Sequence, residues 1–401
     1  MDNLKIVIQK FGGTSVATEE KRKCIIKKIK VAINNGYKPV VVVSAMGRKG
    51  DCYSTDNLKN LISKDFARDN SMQFDLIVSC GEIISSVIMC NDLYNEGFNA
   101  IPLTGGQAGI ITNDNYTNAS LIEFDNKRIE KILSEDKIPV ICGFQGVTKD
   151  GFITTLGRGG SDTTAAILGA KLEASKIEIY TDVDGIMTAD PRIVQDASLI
   201  RVLNYDEVFQ LADQGAKVIH PEAVSYAKEK NIPIIIKNTF SDCEGTIINS
   251  IGDKKSGRVI TSITSTGNRC QIKIKLKENC NCEFYEDILE YIAKENISLD
   301  LINIFPHEQI FTISSCDKRK ITNIFNKYKI KAHIIENCSK ISLVGTGMKG
   351  IPGVMAKIYK ALNDENINML QTADSHMTIW CLVKDQELNK AINILHKAFK
   401  L

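Results

Sequence analysis

The sequence predicts an α/β protein: a mostly parallel sheet sandwiched by helices over residues 1–245, followed by two copies of a smaller α+β unit. Three observations carry this reading. Strand-like runs at 5–11, 39–45, 100–104, 138–145, 176–182 and 232–238 are separated mostly by helical patterns. The run Pro39-Val40-Val41-Val42-Val43 is continuously apolar, as suits a strand covered on both faces. Beyond residue 269, one βαββα order occurs twice.

Taken in order, residues 5–11 (KIVIQKF) form the first strand, and the stretch near 17–35 has the periodicity of an amphipathic helix. Lys149-Asp150-Gly151 separates two short extended runs and reads as a hairpin turn. Residues 241–258 are polar and glycine-containing, and 246–258 are assigned as a linker. The first small unit, 259–338, contains RCQIKIKL (269–276), a helix near 284–295, ISLDLINI, QIFTIS, a helix near 317–327 and KAHIIE. The second, 339–401, contains KISLVG, a helix near 353–365, INMLQTA, MTIWCLV and a helix near 386–399. One strand, VITSIT (259–264), is left over; it is expected to supply the missing edge of the second unit, so that the repeats interlock.

Composition narrows the function classes. The 401 residues carry 50 Lys plus Arg against 48 Asp plus Glu, a net charge of +2, whereas a nucleic-acid binder would show a basic excess. At 43% hydrophobic residues the chain can bury a large core. No apolar run approaches the ~18–20 residues of a membrane span, and the N-terminus does not read as a secretory signal. The expectation is a cytoplasmic protein with neither membrane nor nucleic acid as partner. The 12 cysteines sit singly, the closest pair being Cys280-Asn281-Cys282. With no C-x2-C pair and no histidine pair at ligand spacing, neither a metal site nor a disulfide framework is expected.

Four clusters have the composition of chemistry. Lys10-Phe11-Gly12-Gly13-Thr14-Ser15 ends the first strand and enters a helix, so glycines, helix N–H groups and a lysine converge as in a phosphate cradle. An ordinary capped turn explains the same residues equally well, and Ser15 falls one glycine short of a hydrolase nucleophile elbow. Gly157-Arg158-Gly159-Gly160-Ser161-Asp162 sets an arginine between glycines before a small-residue helix, suited to bidentate capture of a carboxylate or phosphate. Thr181-Asp182-Val183-Asp184 ends a strand, where open α/β sheets bind ligands; beyond it Asp190-Pro191 reads as an N-cap followed by proline at the first helical position. Ser79-Cys80-Gly81-Glu82 is read as the start of a long helix, with Glu82 either capping it or orienting a cationic group. Gly345-Thr346-Gly347-Met348-Lys349-Gly350 matches a dinucleotide fingerprint, but too little chain follows to build that domain.

In sequence order, KFGGTS (10–15), SAMG (44–47), SCGE (79–82), TGGQAG (104–109), GRGGSDT (157–163), TDVDGIMTADPR (181–192) and GAKVIHP (215–221) resemble the aspartate kinases of the amino-acid kinase family. VGTGMKGIPGV (344–354) and LQTADSHMTIW (370–380) resemble their tandem C-terminal ACT regulatory domains, of ferredoxin-like α+β fold. These two segments, and the insertion RKGDCYSTD (48–56), are most similar to the diaminopimelate-sensitive enzymes of spore-forming bacteria. The resemblance implies transfer of the γ-phosphoryl group of ATP, with Mg2+, to the β-carboxylate of L-aspartate.

It also implies roles. Lys10, Arg158 and Asp162 would be catalytic; Ser44, Thr55, Glu82, Arg158 and Ser161 would bind aspartate. Lys10, Phe11, Gly12, Gly13, Ser15, Thr181, Asp182, Met187, Arg192, Lys217 and Val218 would hold the nucleotide. Met348, Gly353, Val354 and Gln371 would meet an amino-acid effector (meso-diaminopimelate, lysine or threonine), and a homo-oligomer, dimer or tetramer, would form through the ACT units. The first repeat lacks a Pro-Gly before its helix, reading ENCNCEFYEDIL, so the second, with Ile351-Pro352-Gly353-Val354, is the expected effector contributor.

Overall fold

Val7, Ile8 and the run Val40–Val43 are fully shielded from solvent because they form the middle of an eight-stranded sheet with helices on both faces. The computed structural model describes residues 5–216, 218–253, 257–275, 283–346, 348 and 351–401. Two units are distinguished. The first comprises Met1–Ile186, Leu199–Asp213 and Lys217–Lys255; the second comprises Met187–Ser198, Gln214–Ala216 and Ser256–Leu401.

The first unit runs β1 (Ile6–Phe11), α1 (Gly13–Val16), α2 (Glu19–Asn34), β2 (Lys38–Val43), α3 (Thr55–Lys59), α4 (Lys64–Asp69), α5 (Ser71–Asn95) and β3 (Ala100–Leu103). It continues with β4 (Ile110–Thr112), β5 (Leu121–Phe124), α6 (Lys127–Ser134), β6 (Ile138–Cys142), β7 (Gln145–Val147), β8 (Ile153–Thr155), α7 (Gly160–Lys171) and β9 (Lys176–Thr181). It closes with β10 (Val202–Asn204), α8 (Tyr205–Asp213), α9 (Pro221–Glu229), β11 (Ile234–Asn238) and β12 (Thr246–Asn249). The main sheet has the order β10-β12-β11-β9-β1-β2-β6-β3, parallel at every pairing except β11–β12. A second sheet, β5-β4-β7-β8, includes the hairpin expected around Lys149-Asp150-Gly151.

α5 is long and apolar enough to cross a membrane by composition alone. It is instead a core helix, packed against β3, β6 and β8, and it buries both Asp75 and Glu82.

The second unit contains β13 (Ser262–Lys275), α10 (Glu283–Lys294), β14 (Asp300–Ile304), β15 (Glu308–Ser314), α11 (Lys318–Lys327), β16 (Ala332–Val344), α12 (Val354–Asn363), β17 (Gln371–Asp374), β18 (Thr378–Lys384) and α13 (Leu388–Phe399). Its sheet, β14-β15-β13-β16-β18-β17, is antiparallel throughout. Ser262–Thr266 pair with Lys340–Val344, whereas Arg269–Lys275 pair with β15 on one side and largely with 332–338 on the other. The second half of the leftover run, 262–264, and the first strand of the first repeat, read separately from the sequence, are thus one strand with a register shift between Thr266 and Arg269. The last strand of the first repeat and the first of the second are fused in the same way, as β16.

Three sequence expectations need correction. Residues 246–249 are not linker but β12, held parallel to β10 and antiparallel to β11. The 1–245 boundary is also too simple, because Met187–Ser198 and Gln214–Ala216 pack with the second unit. There the Ser262 hydroxyl donates to the Met187 carbonyl, and Ala189 and Val194 join the apolar core of α12, α13 and β18. Finally, Asp190 caps no helix: its carboxylate takes the Arg192 N–H and guanidinium in a tight turn.

Candidate active site

Parallel strands deliver their following loops to one edge, and at the carboxyl ends of β1, β2 and β6 these loops enclose a cavity of about 430 Å³. Lys10 enters from β1, Ser44 from the loop after β2, and Phe144 from the loop after β6. Thr55 and Lys59 come from α3, Phe74 and Glu82 from α5, Gly157 to Gly159 from the loop leading into α7, and Gly160 to Asp162 from its first turn. The cavity therefore unites Lys10, Ser44, Thr55, Glu82, Arg158, Ser161 and Asp162, which sequence reasoning had taken from four separated stretches of chain.

The geometry assigns each a chemical character. Lys10 Nζ lies 2.6 Å from Asp162 Oδ1, both side chains nearly buried. Glu82 is 2% exposed, in the interior of α5 and not at its start, so it caps nothing. Its Oε1 accepts the Ala45 N–H at 3.0 Å, while Oε2 is buried with no partner among the described residues. Burial pushes its carboxyl up to about 8, only partly offset by the hydrogen bond from Ala45. An orphaned buried acceptor of this kind is completed by a cation or a hydrogen-bond donor. Arg158, also lining the cavity, is exposed, its guanidinium open to an anion.

Gly13 owes its identity to the loop after β2. A Cβ there would meet the carbonyl oxygens of Ala45 and Gly47 at 2.7 Å, so only glycine lets that loop close over the β1–α1 turn. Gly47 N–H seals the contact by donating to Gly13 O at 2.9 Å.

Several assigned nucleotide residues behave differently. Phe11 is fully buried and stacks on Tyr180 at 4.8 Å, so its ring belongs to the core. Ser15 is fully buried as well; its hydroxyl lies 2.7 Å from that of Thr239 and its N–H donates to Gly12 O, so it is available neither to phosphate nor as a nucleophile. Thr181 and Asp182 stand at the carboxyl end of β9, with Asp182 paired to Arg48, and Val218 lies in the turn before α9. Met187 and Arg192 belong to the second unit, and Lys217 lies outside the described residues.

In the second unit, Gly353 and Val354 line a cavity of about 440 Å³ with Arg258, Lys357 and Phe399. Met348 and Gln371 do not reach it. Met348 is packed into the apolar core, and the Gln371 amide is spent on Leu301 O, Asn303 Oδ1 and the Gln271 amide. The loop of the first repeat that lacks Pro-Gly falls largely outside the described residues, as do Cys280 and Cys282.

Sequence reasoning missed Lys59, Phe74, Thr117, Phe144 and Thr155 as cavity walls. None stands in a glycine-rich or charged cluster; only the topology brings them together.

Comparison with known proteins identifies the family and the fold. The amino acid kinase family model matches residues 5–238, and an ACT domain model matches 333–397. Aspartokinase 1 of Bacillus subtilis is 44% identical over 99% of this chain and 100% of its own length. The solved structure of Clostridium acetobutylicum aspartate kinase is 27% identical, covers 98% of this chain and 100% of its own, and superposes with a TM-score of 0.80. Escherichia coli aspartokinase III, solved with aspartate and ADP, shares the fold at 22% identity and a TM-score of 0.74, covering 99% of this chain and 100% of its own.

Proposed function

We propose, from the premise that this chain belongs to the aspartokinases of the amino acid kinase family, a role for each side chain around the cavity in phosphoryl transfer from ATP to L-aspartate. A β-carboxylate oxygen of aspartate attacks the γ-phosphorus, the new O–P bond forms as the bond to the β,γ-bridging oxygen breaks, and ADP leaves with that oxygen. The products are 4-phospho-L-aspartate and ADP, in the first step of diaminopimelate, lysine, threonine and methionine biosynthesis.

A carboxylate is already a nucleophile, so no general base is required. The work is to neutralise charge and align the two anions. Lys10 is worth about 4 kcal/mol against a unit charge at 4 Å for an effective dielectric near 20. Its 2.6 Å pairing with Asp162 holds the ammonium in place until the phosphates arrive. Glu82 receives the substrate ammonium on its unpartnered oxygen, and Arg158 takes a substrate carboxylate, with Ser44, Thr55 and Ser161 completing the cup. Gly12, Gly13, Thr181, Asp182 and Val218 lie along the nucleotide. Among the described residues no three His, Cys, Asp or Glu side chains stand together to cage a metal, and with Glu82 given to the ammonium, Asp162 is the cavity carboxylate that would meet an Mg2+ ion otherwise held by water and the ATP phosphates. That ion would supply further neutralisation of phosphate charge.

The observation that carries this reading is one cavity in which a paired lysine, an orphaned buried carboxyl and an open arginine converge. Purified protein given ATP, Mg2+ and L-aspartate, with hydroxylamine to trap the acyl phosphate, should give aspartate-dependent hydroxamate; none would refute the assignment. The same assay with meso-diaminopimelate, lysine and threonine identifies the effector, for which Gly353 and Val354 are the proposed contacts. We place the enzyme in the cytoplasm, where its nucleotide is, as a homo-oligomer formed through its ACT units.

A further inference from the structure

Glu82 is not the only buried acid on α5. Asp75, seven residues earlier and so two turns away on the same helix face, is completely shielded from solvent. Its Oδ2 accepts the backbone N–H of Thr155 at 2.8 Å and that of Thr117 at 2.9 Å, and its Oδ1 accepts the Thr155 hydroxyl at 2.8 Å. Burial nevertheless holds this carboxyl above its ordinary range, the three donors offsetting part of the shift.

Both partners are walls of the cavity. Thr155 ends β8, three residues before Arg158. Thr117 has φ +70°, an unfavourable conformation for a branched side chain, and Asp75 takes the N–H of that residue. The two segments also touch directly. Ala119 N–H donates to Thr155 O, and Gly157, at φ +73°, lies so close that a Cβ there would come within 2.5 Å of Asn118 Oδ1. The end of β8 and the 117–119 turn are thus fastened by this carboxylate together with the Ala119–Thr155 backbone bond.

We infer that Asp75 is a positioning residue for the substrate carboxylate site: from behind the cavity it fixes the 155–158 loop against the 117–118 turn, and so sets where the Arg158 guanidinium stands. It touches neither substrate nor nucleotide. Lys10, on β1, is not among the hydrogen-bond partners of Asp75. This role rests on the assignment of Arg158 to aspartate.

The experiment compares Asp75→Ala, Asp75→Asn and Thr155→Val by steady-state kinetics in both substrates. Asp75→Ala should raise the KM for aspartate about tenfold or more and change that for ATP less than twofold, as expected for a misplaced orienting group. Asp75→Asn should stay within about threefold of wild type in both, because the amide oxygen can accept the two N–H groups while its NH2 donates to the threonine hydroxyl. Thr155→Val, which removes only the hydroxyl donor, should raise the aspartate KM by about threefold and leave ATP unaffected. An equal rise in both KM values in Asp75→Ala, or an asparagine variant as damaged as the alanine one, overturns the inference. If the alanine variant does not fold, an unchanged aspartate KM in Thr155→Val overturns it. Wild-type protein without aspartate-dependent activity would sink the functional reading as well; an active wild type with an unselective Asp75→Ala sinks this inference alone.

Discussion

The kinase unit and the regulatory unit both bury polar side chains, but they leave them in different states. Around the kinase cavity, Glu82 keeps an oxygen without a partner among the described residues and Arg158 is open, so the set is completed by something that enters. In the regulatory sheet most such groups close on each other. Lys340, 5% exposed, sits 2.5 Å from Asp300, the Gln371 amide bridges Leu301 and Asn303, and Trp380 and Ser342 both donate to Gln214 Oε1. Several of these contacts join one repeat to the other, where two similar halves must be held in a single register. Polar burial serves recognition in the first unit and fixes pairing in the second.

That contrast is broken most directly at Lys10. If its charge acts on the transferring phosphate, Lys10→Ala should lower kcat by on the order of 10²-fold or more with the unfolding transition little changed. Near-normal turnover would mean that the Lys10–Asp162 pair is as structural as Lys340–Asp300.

Glu82 sharpens the contrast through pH. Its folded-state value of about 8 lies above the ordinary 4.5, so its stability contribution is fully present below pH 4.5 and is lost as pH rises through 8. Binding of an ammonium group needs the ionised form. The KM for aspartate should therefore fall as pH rises towards 8, by up to about tenfold per unit, and then level. Glu82→Gln should flatten that profile, raise the KM about tenfold at pH 8, and gain stability relative to wild type at that pH. A wild-type KM that does not vary between pH 6 and 8 rejects the role.

For the second unit the reverse is expected. Lys340→Ala leaves the Asp300 carboxylate without its closest cation and should cost about 2 kcal/mol, read as a lower denaturant midpoint of the regulatory transition, with basal kcat within about twofold of wild type. A loss of turnover without loss of stability would place Lys340 on the functional side of the comparison.

Much of this was legible in the sequence because its signals are local. The continuous run 39–43 marked a central parallel strand, and the glycine clusters at 12–13 and 157–160 marked turns that bear ligand-facing residues. Fusion of 262–264 with 269–275 into β13 was not legible, since a strand that serves two repeats shows the same alternation as two short strands. Ser15 misled for a related reason: a hydroxyl beside paired glycines has the composition of a phosphate contact, and only the fold brings Thr239 to it from 224 residues away. Asp75 left a faint signal, an acid on the apolar face of a long helix, but nothing in the sequence named its partners.

The smallest effect concerns where an effector is read. Gly353 adopts φ +90° at the N-terminus of α12, and a Cβ there would meet nothing within 4 Å, so Gly353→Ala introduces backbone strain without a clash. The strain is about 1 kcal/mol, enough to shift a binding equilibrium roughly fivefold. The cavity beside it, with Arg258, Lys357 and Phe399, is the part of the second repeat where such a shift would be felt. Half-inhibition by the effector that the hydroxamate assay identifies should then require about fivefold more amino acid, with turnover in its absence as the internal reference. Unchanged half-inhibition would move the effector's contacts away from the Pro-Gly turn. They would then have to be sought elsewhere in the regulatory sheet, whose inner polar groups are largely taken by one another.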